Sequence, residues 1–140
     1  MLTATNLSYR YQYSEVLQQI NLSFESGKMY AIVGKSGSGK TTLLSLLSGI
    51  STLQEGDIQF QGASLTKGSL DAYRKKISIV FQSYNLINYL SPLQNVILAL
   101  DINRKKGNKK QLATTYLNKV GLAGDQLTRP CKELSGGQQQ

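Results

Sequence analysis

The chain has 140 residues, 40% of them apolar, and a mean hydropathy of −0.25, the profile expected of one soluble domain with a modest core. No stretch approaches ~18 uninterrupted apolar residues, which excludes a membrane-spanning helix. A lone Cys131 and the lack of histidine exclude an internal disulfide and the usual zinc sites. The start, Met1-Leu2-Thr3-Ala4, shows neither the basic nor the apolar region of a signal peptide, so cytosolic residence is expected.

In chain order, Leu2 to Tyr9 and Gln19 to Glu25 read as strands, the second alternating Ile20, Leu22 and Phe24 with polar neighbours. Met29 to Val33 is a short apolar run between polar residues and predicts a buried strand. Gly34-Lys35-Ser36-Gly37-Ser38-Gly39-Lys40-Thr41 follows, a full match to G-x-x-x-x-G-K-[ST]. After Thr42, the spacing of Leu43, Leu44, Leu46 and Leu47 predicts a helix that stops at Gly49. The motif thus lies between a predicted strand and a predicted helix. There its glycines let successive N–H groups ring an anion, and the helix N-terminus adds partial positive charge. Lys40 would bring a full charge to the β- and γ-phosphates of a nucleoside triphosphate, and the Thr41 hydroxyl would ligate Mg²⁺.

Gly56 to Phe60 predicts a short strand, Gln61 to Ser64 a turn, Leu70 to Lys75 a brief helix and Ile77 to Phe81 a second apolar strand. Strands and helices alternating around the phosphate loop argue for an α/β core with parallel pairing. Beyond Gln82 the pattern turns helical. Ser91-Pro92 is an N-cap with proline behind it, and Leu93, Val96, Ile97 and Leu100 share one face. A second helix opens at Asn108, with Gln111 completing a capping-box pattern. Leu112, Tyr116, Leu117 and Val120 form its apolar side, and Gly121 closes it. Net charge is +8, from sixteen Lys and Arg against eight Asp and Glu, and much of the excess lies in Arg104 to Lys110. Nucleic acid, an anionic membrane or acidic partner surface, and truncation compete to explain the excess; the run reads as a solvated turn between helices, with a membrane-proximal role second. No aromatic residue interleaves it as single-stranded nucleic acid would require.

Near the C-terminus stands Leu134-Ser135-Gly136-Gly137-Gln138, followed by Gln139-Gln140. With the phosphate loop it makes the whole chain resemble the nucleotide-binding domains of ABC transporters. Phe81-Gln82-Ser83-Tyr84-Asn85-Leu86 and the glutamine-rich run resemble the lipoprotein-release and macrolide-export type. The resemblance implies an α/β fold: an incomplete, RecA-like P-loop NTPase core with an antiparallel β subdomain and a helical insertion. It implies a β subdomain and core over residues 1–84, a helical subdomain over 85–134, and the start of the signature helix over 135–140. Tyr11 matches the aromatic residue that stacks on adenine, with Tyr9 and Tyr13 as alternatives and Val16 lining the same pocket. Residues Gly34 to Thr42 would hold the phosphates, and Thr41 and Gln82 the Mg²⁺. Ser135, Gly136, Gly137 and Gln138 would close over the ATP of a second, head-to-tail subunit.

The family's Mg²⁺-supporting aspartate, water-polarising glutamate and switch histidine normally follow the signature, and none stands in these 140 residues. The remaining carboxylates lie in no comparable apolar-strand context, so residues 1–140 are expected to bind ATP and Mg²⁺ without turning ATP over. The leading expectation is the ATP-binding subunit of an ABC transporter. It would work with an integral-membrane permease at the inner face of the plasma membrane, without nucleic acid. A non-transport relative acting on DNA or the ribosome would be expected to carry coiled-coil insertions or tandem cassettes, and neither is visible. A remnant binding nucleotide weakly or not at all is the third reading.

Overall fold

A computed structural model describes all 140 residues, which form two compact units, Met1–Ile79 and Val80–Gln140. In the first unit, β1 (Leu2–Tyr11) and β2 (Ser14–Phe24) form a hairpin closed at Tyr11 opposite Ser14. Beyond it come α1 (Lys40–Leu47), β3 (Glu55–Phe60), β4 (Ala63–Ser64) and α2 (Leu70–Arg74). The sheet runs β2-β1-β3-β4 with every neighbour antiparallel. The second strand therefore begins five residues before Gln19, where alternation first becomes visible. Its opening residues are fixed by pairing with Tyr9 to Tyr11 and not by their own polarity.

Ala4, Leu7, Leu17 and Ile58 of the sheet share one core with Leu43, Leu46 and Leu47 of α1. Leu7 and Leu46 are fully buried within it. This packing seats α1 on the sheet. The helix stops at Gly49 as expected, in left-handed backbone, with Gly49 N donating to Leu46 O at 2.9 Å. Carbonyls freed at that end are taken up by α2. Tyr73 Oη donates to Leu47 O at 2.5 Å, and Arg74 Nε and Nη2 donate to Gly49 O at 2.9 and 2.6 Å.

Two strand expectations fail. Met29–Val33 and Ile77–Phe81 join no ladder, so the sheet contains no parallel pair. Met29 and Val33 are almost fully exposed and Val80 largely so. Apolar content made these segments read as strands, but a central strand of a parallel sheet exists only through partners on both sides. None of the 140 residues pairs with them.

The second unit is a helical hairpin, α3 (Pro92–Ile102) and α4 (Lys109–Lys119), followed by 3₁₀ turns at Gly124–Leu127 and Cys131–Glu133 and by α5 (Gly136–Gln139). Ser91 starts α3 through a complete capping box, its Oγ accepting from Gln94 N and its N donating to Gln94 Oε1. Asn108 caps α4 by accepting from Gln111 N at 3.0 Å, which is the first half of the expected box. Leu117, Leu122 and Leu127 form the core, with Leu93 and Val96 packed on it. Val120 lies mostly outside and Tyr116 is 44% exposed, contrary to expectation. The buried stripe of α4 is Ala113 and Leu117, one turn apart, and Tyr116 and Val120 sit beside it, rotated toward solvent.

Candidate functional site

The phosphate loop enters from the ladderless segment and ends on α1. Gly39 is the N-cap of α1, at φ 83°. A Cβ there would stand 3.0 Å from the Val16 carbonyl and from side-chain carbons of Val16 and Leu17. A side chain at this position would thus strain the backbone and lift the helix from β2. No side chain caps the helix and its first turn holds no acidic residue. Its first N–H groups and positive end are left for an anion.

Lys40 Nζ lies inside the loop. It donates to Gly34 O at 3.0 Å, Lys35 O at 2.7 Å and Ser38 Oγ at 3.4 Å, satisfying all three ammonium hydrogens. Thr41 is exposed and Thr42 buried. A cavity of about 270 Å³ is lined by Gly37 to Thr42 on one side and by Tyr11 and Val16 on the other. Gly34, Lys35 and Ser36 complete the loop without lining it.

Of the three tyrosines considered for a base platform, only Tyr11 lines this cavity. Tyr11 stands half exposed at the end of β1. Tyr9 packs edge-to-face against it with ring centroids 5.0 Å apart. Burial, with the adjacent Tyr11 adding, pushes the Tyr9 phenol above its ordinary value. Tyr13 projects fully into solvent from the turn. No carboxylate lines the cavity. Glu55, Glu25 and Asp71 of this unit are engaged by Arg10, Lys28 and Arg74 respectively.

The other candidates belong to the second unit. Gln82 is exposed, in the segment that opens it. Ser135 N-caps α5 through a reciprocal box, its Oγ accepting from Gln138 N at 3.3 Å and its N donating to Gln138 Oε1 at 3.0 Å. The Gln138 side-chain oxygen thus serves the helix start. Gly137 is open, whereas a Cβ on Gly136 would come within 2.9 Å of Tyr84 Oη.

Two residues escaped sequence reasoning. Tyr84 roofs Gly136, a contact across fifty residues with no local signal. Asn95 ties the loop before α3 to that helix and to the segment before the signature. Its Oδ1 accepts from Ile87 N at 2.9 Å, while Nδ2 donates to Ile87 O at 3.2 Å and to Cys131 Sγ at 3.4 Å. Cys131 itself is fully buried, and burial raises its thiol above the usual range although Asn95 partly offsets this. Its thiolate fraction at neutral pH is therefore reduced. Alkylation by iodoacetamide at pH 7.5 is expected to be negligible in the folded chain and fast in urea; rapid labelling without denaturant would contradict the packing of this unit.

Residues 17–140 match the family described as ABC transporter. The chain is 45% identical over 134 residues to the uncharacterized ABC transporter ATP-binding protein YclH of Bacillus subtilis, covering 94% of this chain and 59% of YclH. It is 41% identical over 130 residues to the macrolide export ATP-binding/permease protein MacB of Escherichia coli, covering 89% of this chain and 20% of MacB. Among solved structures it resembles the dimeric post-hydrolysis state of the ATP-binding cassette MJ0796 bound to ADP and Pi. That likeness has a TM-score of 0.83 and 29% identity, and covers 99% of this chain and 65% of that one. The chain thus spans little more than half the length of YclH and about two thirds of the MJ0796 cassette. With the phosphate loop seated on α1 and the signature capped by Ser135, these likenesses place the chain in the ABC transporter family.

Proposed function

We propose that this chain is the ATP-binding part of an ABC transporter whose complete form couples ATP hydrolysis to transport through an integral-membrane permease. The observation that carries this reading is one cavity in which Tyr11 faces the uncapped N-terminus of α1 and the phosphate loop around Lys40. The arrangement fits a nucleotide: a flat ring for the base, amides and an ammonium for the phosphates. The exposed Thr41 hydroxyl is a suitable hard-cation donor, and for Gln82 we propose a Mg²⁺-binding role through its match to the family glutamine. Bound Mg²⁺ would neutralise phosphate charge.

Ser135, Gly136 and Gly137 are proposed to act on the ATP of a head-to-tail partner, with Gln138 holding the Ser135 cap. The dimeric state of MJ0796 supports that assembly. No helix here is long and apolar enough to cross a membrane. We place the chain at the cytoplasmic face, docked to its permease, and assign the water-polarising carboxylate to the remainder of the longer protein. The functional division is proposed at residue 84, a few residues beyond the boundary between the two compact units at Ile79 and Val80.

Titration calorimetry of the purified chain with MgATP tests the reading. Binding is expected, and Tyr11→Ala should weaken ATP and GTP alike, because stacking on an aromatic ring contributes about 1–3 kcal/mol and tolerates any base. No binding by the folded chain would overturn the proposal. Unchanged affinity in the variant would move the platform to Tyr9 or Tyr13.

A further inference from the structure

The second unit holds eight of the sixteen Lys and Arg but only three of the eight Asp and Glu. Five of those cations fall in the turn joining α3 to α4 and in the first turn of α4. The turn is built, with hydrogen bonds fixing its path: Arg104 N donates to Asp101 O at 2.9 Å, Lys105 N to Leu100 O at 2.9 Å, and Asn103 Nδ2 to Ala99 O at 2.8 Å. Arg104 and Gly107 adopt left-handed backbone that reverses the chain. Lys109 pairs with Asp101 across the hairpin, the one acid nearby. Arg104, Lys105, Lys106 and Lys110 are exposed and make no ion pair. Beside them, Ile102 is 73% exposed and Leu98, one helical turn back, 38% exposed, a short apolar strip running to the cationic tip.

We propose that this tip binds the surface of an anionic phospholipid bilayer, with the four free cations on headgroup phosphates and Ile102 at the headgroup boundary. Charge complementarity carries the assignment. A compact cluster of unpaired cations beside an exposed aliphatic residue is the footprint of an interfacial contact. Nucleic acid fits less well, because no aromatic residue stands between Ile102 and Thr115 to stack on bases. The tip also leaves the signature clear. Cys131 N donates to Leu90 O and Lys132 N to Asn88 O, which holds the segment before Ser135 at the far end of α3. Eleven residues of helix separate the two ends, about 16 Å. The inference deepens the membrane-side part of the proposed function, but its readout is lipid and not nucleotide, so the two fail separately.

Sedimentation of the full chain with phosphatidylcholine vesicles, with and without one third phosphatidylglycerol, tests it. Partition is expected only onto the anionic vesicles, to fall with added salt, and to survive free inorganic phosphate at millimolar concentration. The triple variant Arg104→Gln, Lys105→Gln, Lys106→Gln should partition roughly 100-fold less, at about five-fold per cation. Lys105→Arg with Lys106→Arg should retain binding, and both variants should keep the parent's MgATP affinity. Equal partition onto neutral vesicles, an undiminished triple variant, or abolition by phosphate would each overturn the proposal. So would tighter binding to a single-stranded oligonucleotide that the triple variant loses, which would reassign the tip to nucleic acid.

Discussion

Lys40→Ala is expected to lower MgATP affinity by roughly one to two decades, the equivalent of a charge-assisted contact worth about 1.5–3 kcal/mol. Its ammonium already sits among the loop carbonyls of Gly34 and Lys35, so the charge is held where phosphate oxygens would take over as acceptors. Those carbonyls belong to exposed residues and rehydrate when the lysine is removed. The variant should therefore unfold at the parent's temperature while losing affinity, a separation read by calorimetry alongside thermal melting. Unchanged MgATP binding would refute the phosphate-loop assignment.

Leu46→Ala should cost about 2–5 kcal/mol of stability, a large share of the 5–15 kcal/mol typical of a folded domain. Leu46 is fully enclosed on the face of α1 that packs on the sheet, so truncation leaves a void that neighbouring side chains can only partly fill. Leu44→Ala is the control: on the same helix, half exposed, it should cost far less. Urea unfolding of the pair separates them. A loss below about 1 kcal/mol at Leu46 would mean that α1 is not seated on the sheet. The loop and Tyr11 would then lose the packing that brings them to one cavity.

What could be read from the chain beforehand follows the range of the forces involved. Helix starts at Ser91 and Asn108 and the stop at Gly49 depend on contacts within three or four residues, and the structure shows each. The phosphate loop was legible for the same reason, being contiguous. Tyr11 could be separated from Tyr9 and Tyr13 only once the hairpin turn at Gln12 and Tyr13 was known, since that turn decides which ring faces the cavity. Strands at Met29–Val33 and Ile77–Phe81 were expected from apolar content, a property of the segment, whereas a ladder is a property of a pair. The Tyr84 contact with Gly136 and the Asn95 bonds to Ile87 and Cys131 also depend on distant partners, and no periodicity announces them.

The ladderless approach to the phosphate loop bears on the thermodynamics of ligand capture. Downstream, α1 is clamped by Leu43, Leu46 and Leu47; upstream, residues 29–33 join no ladder and are tied down only through Tyr30, which packs on Phe24 and accepts from Glu25 N. If a polyanion gripping the loop fixes residues of that arm, each costs about 1–2 kcal/mol of conformational entropy. Intrinsic affinity would then be partly masked. Any chain segment that pairs with residues 29–33 would prepay this ordering and tighten nucleotide binding without touching the nucleotide. Such coupling would appear calorimetrically as a smaller entropic penalty at nearly constant contact enthalpy.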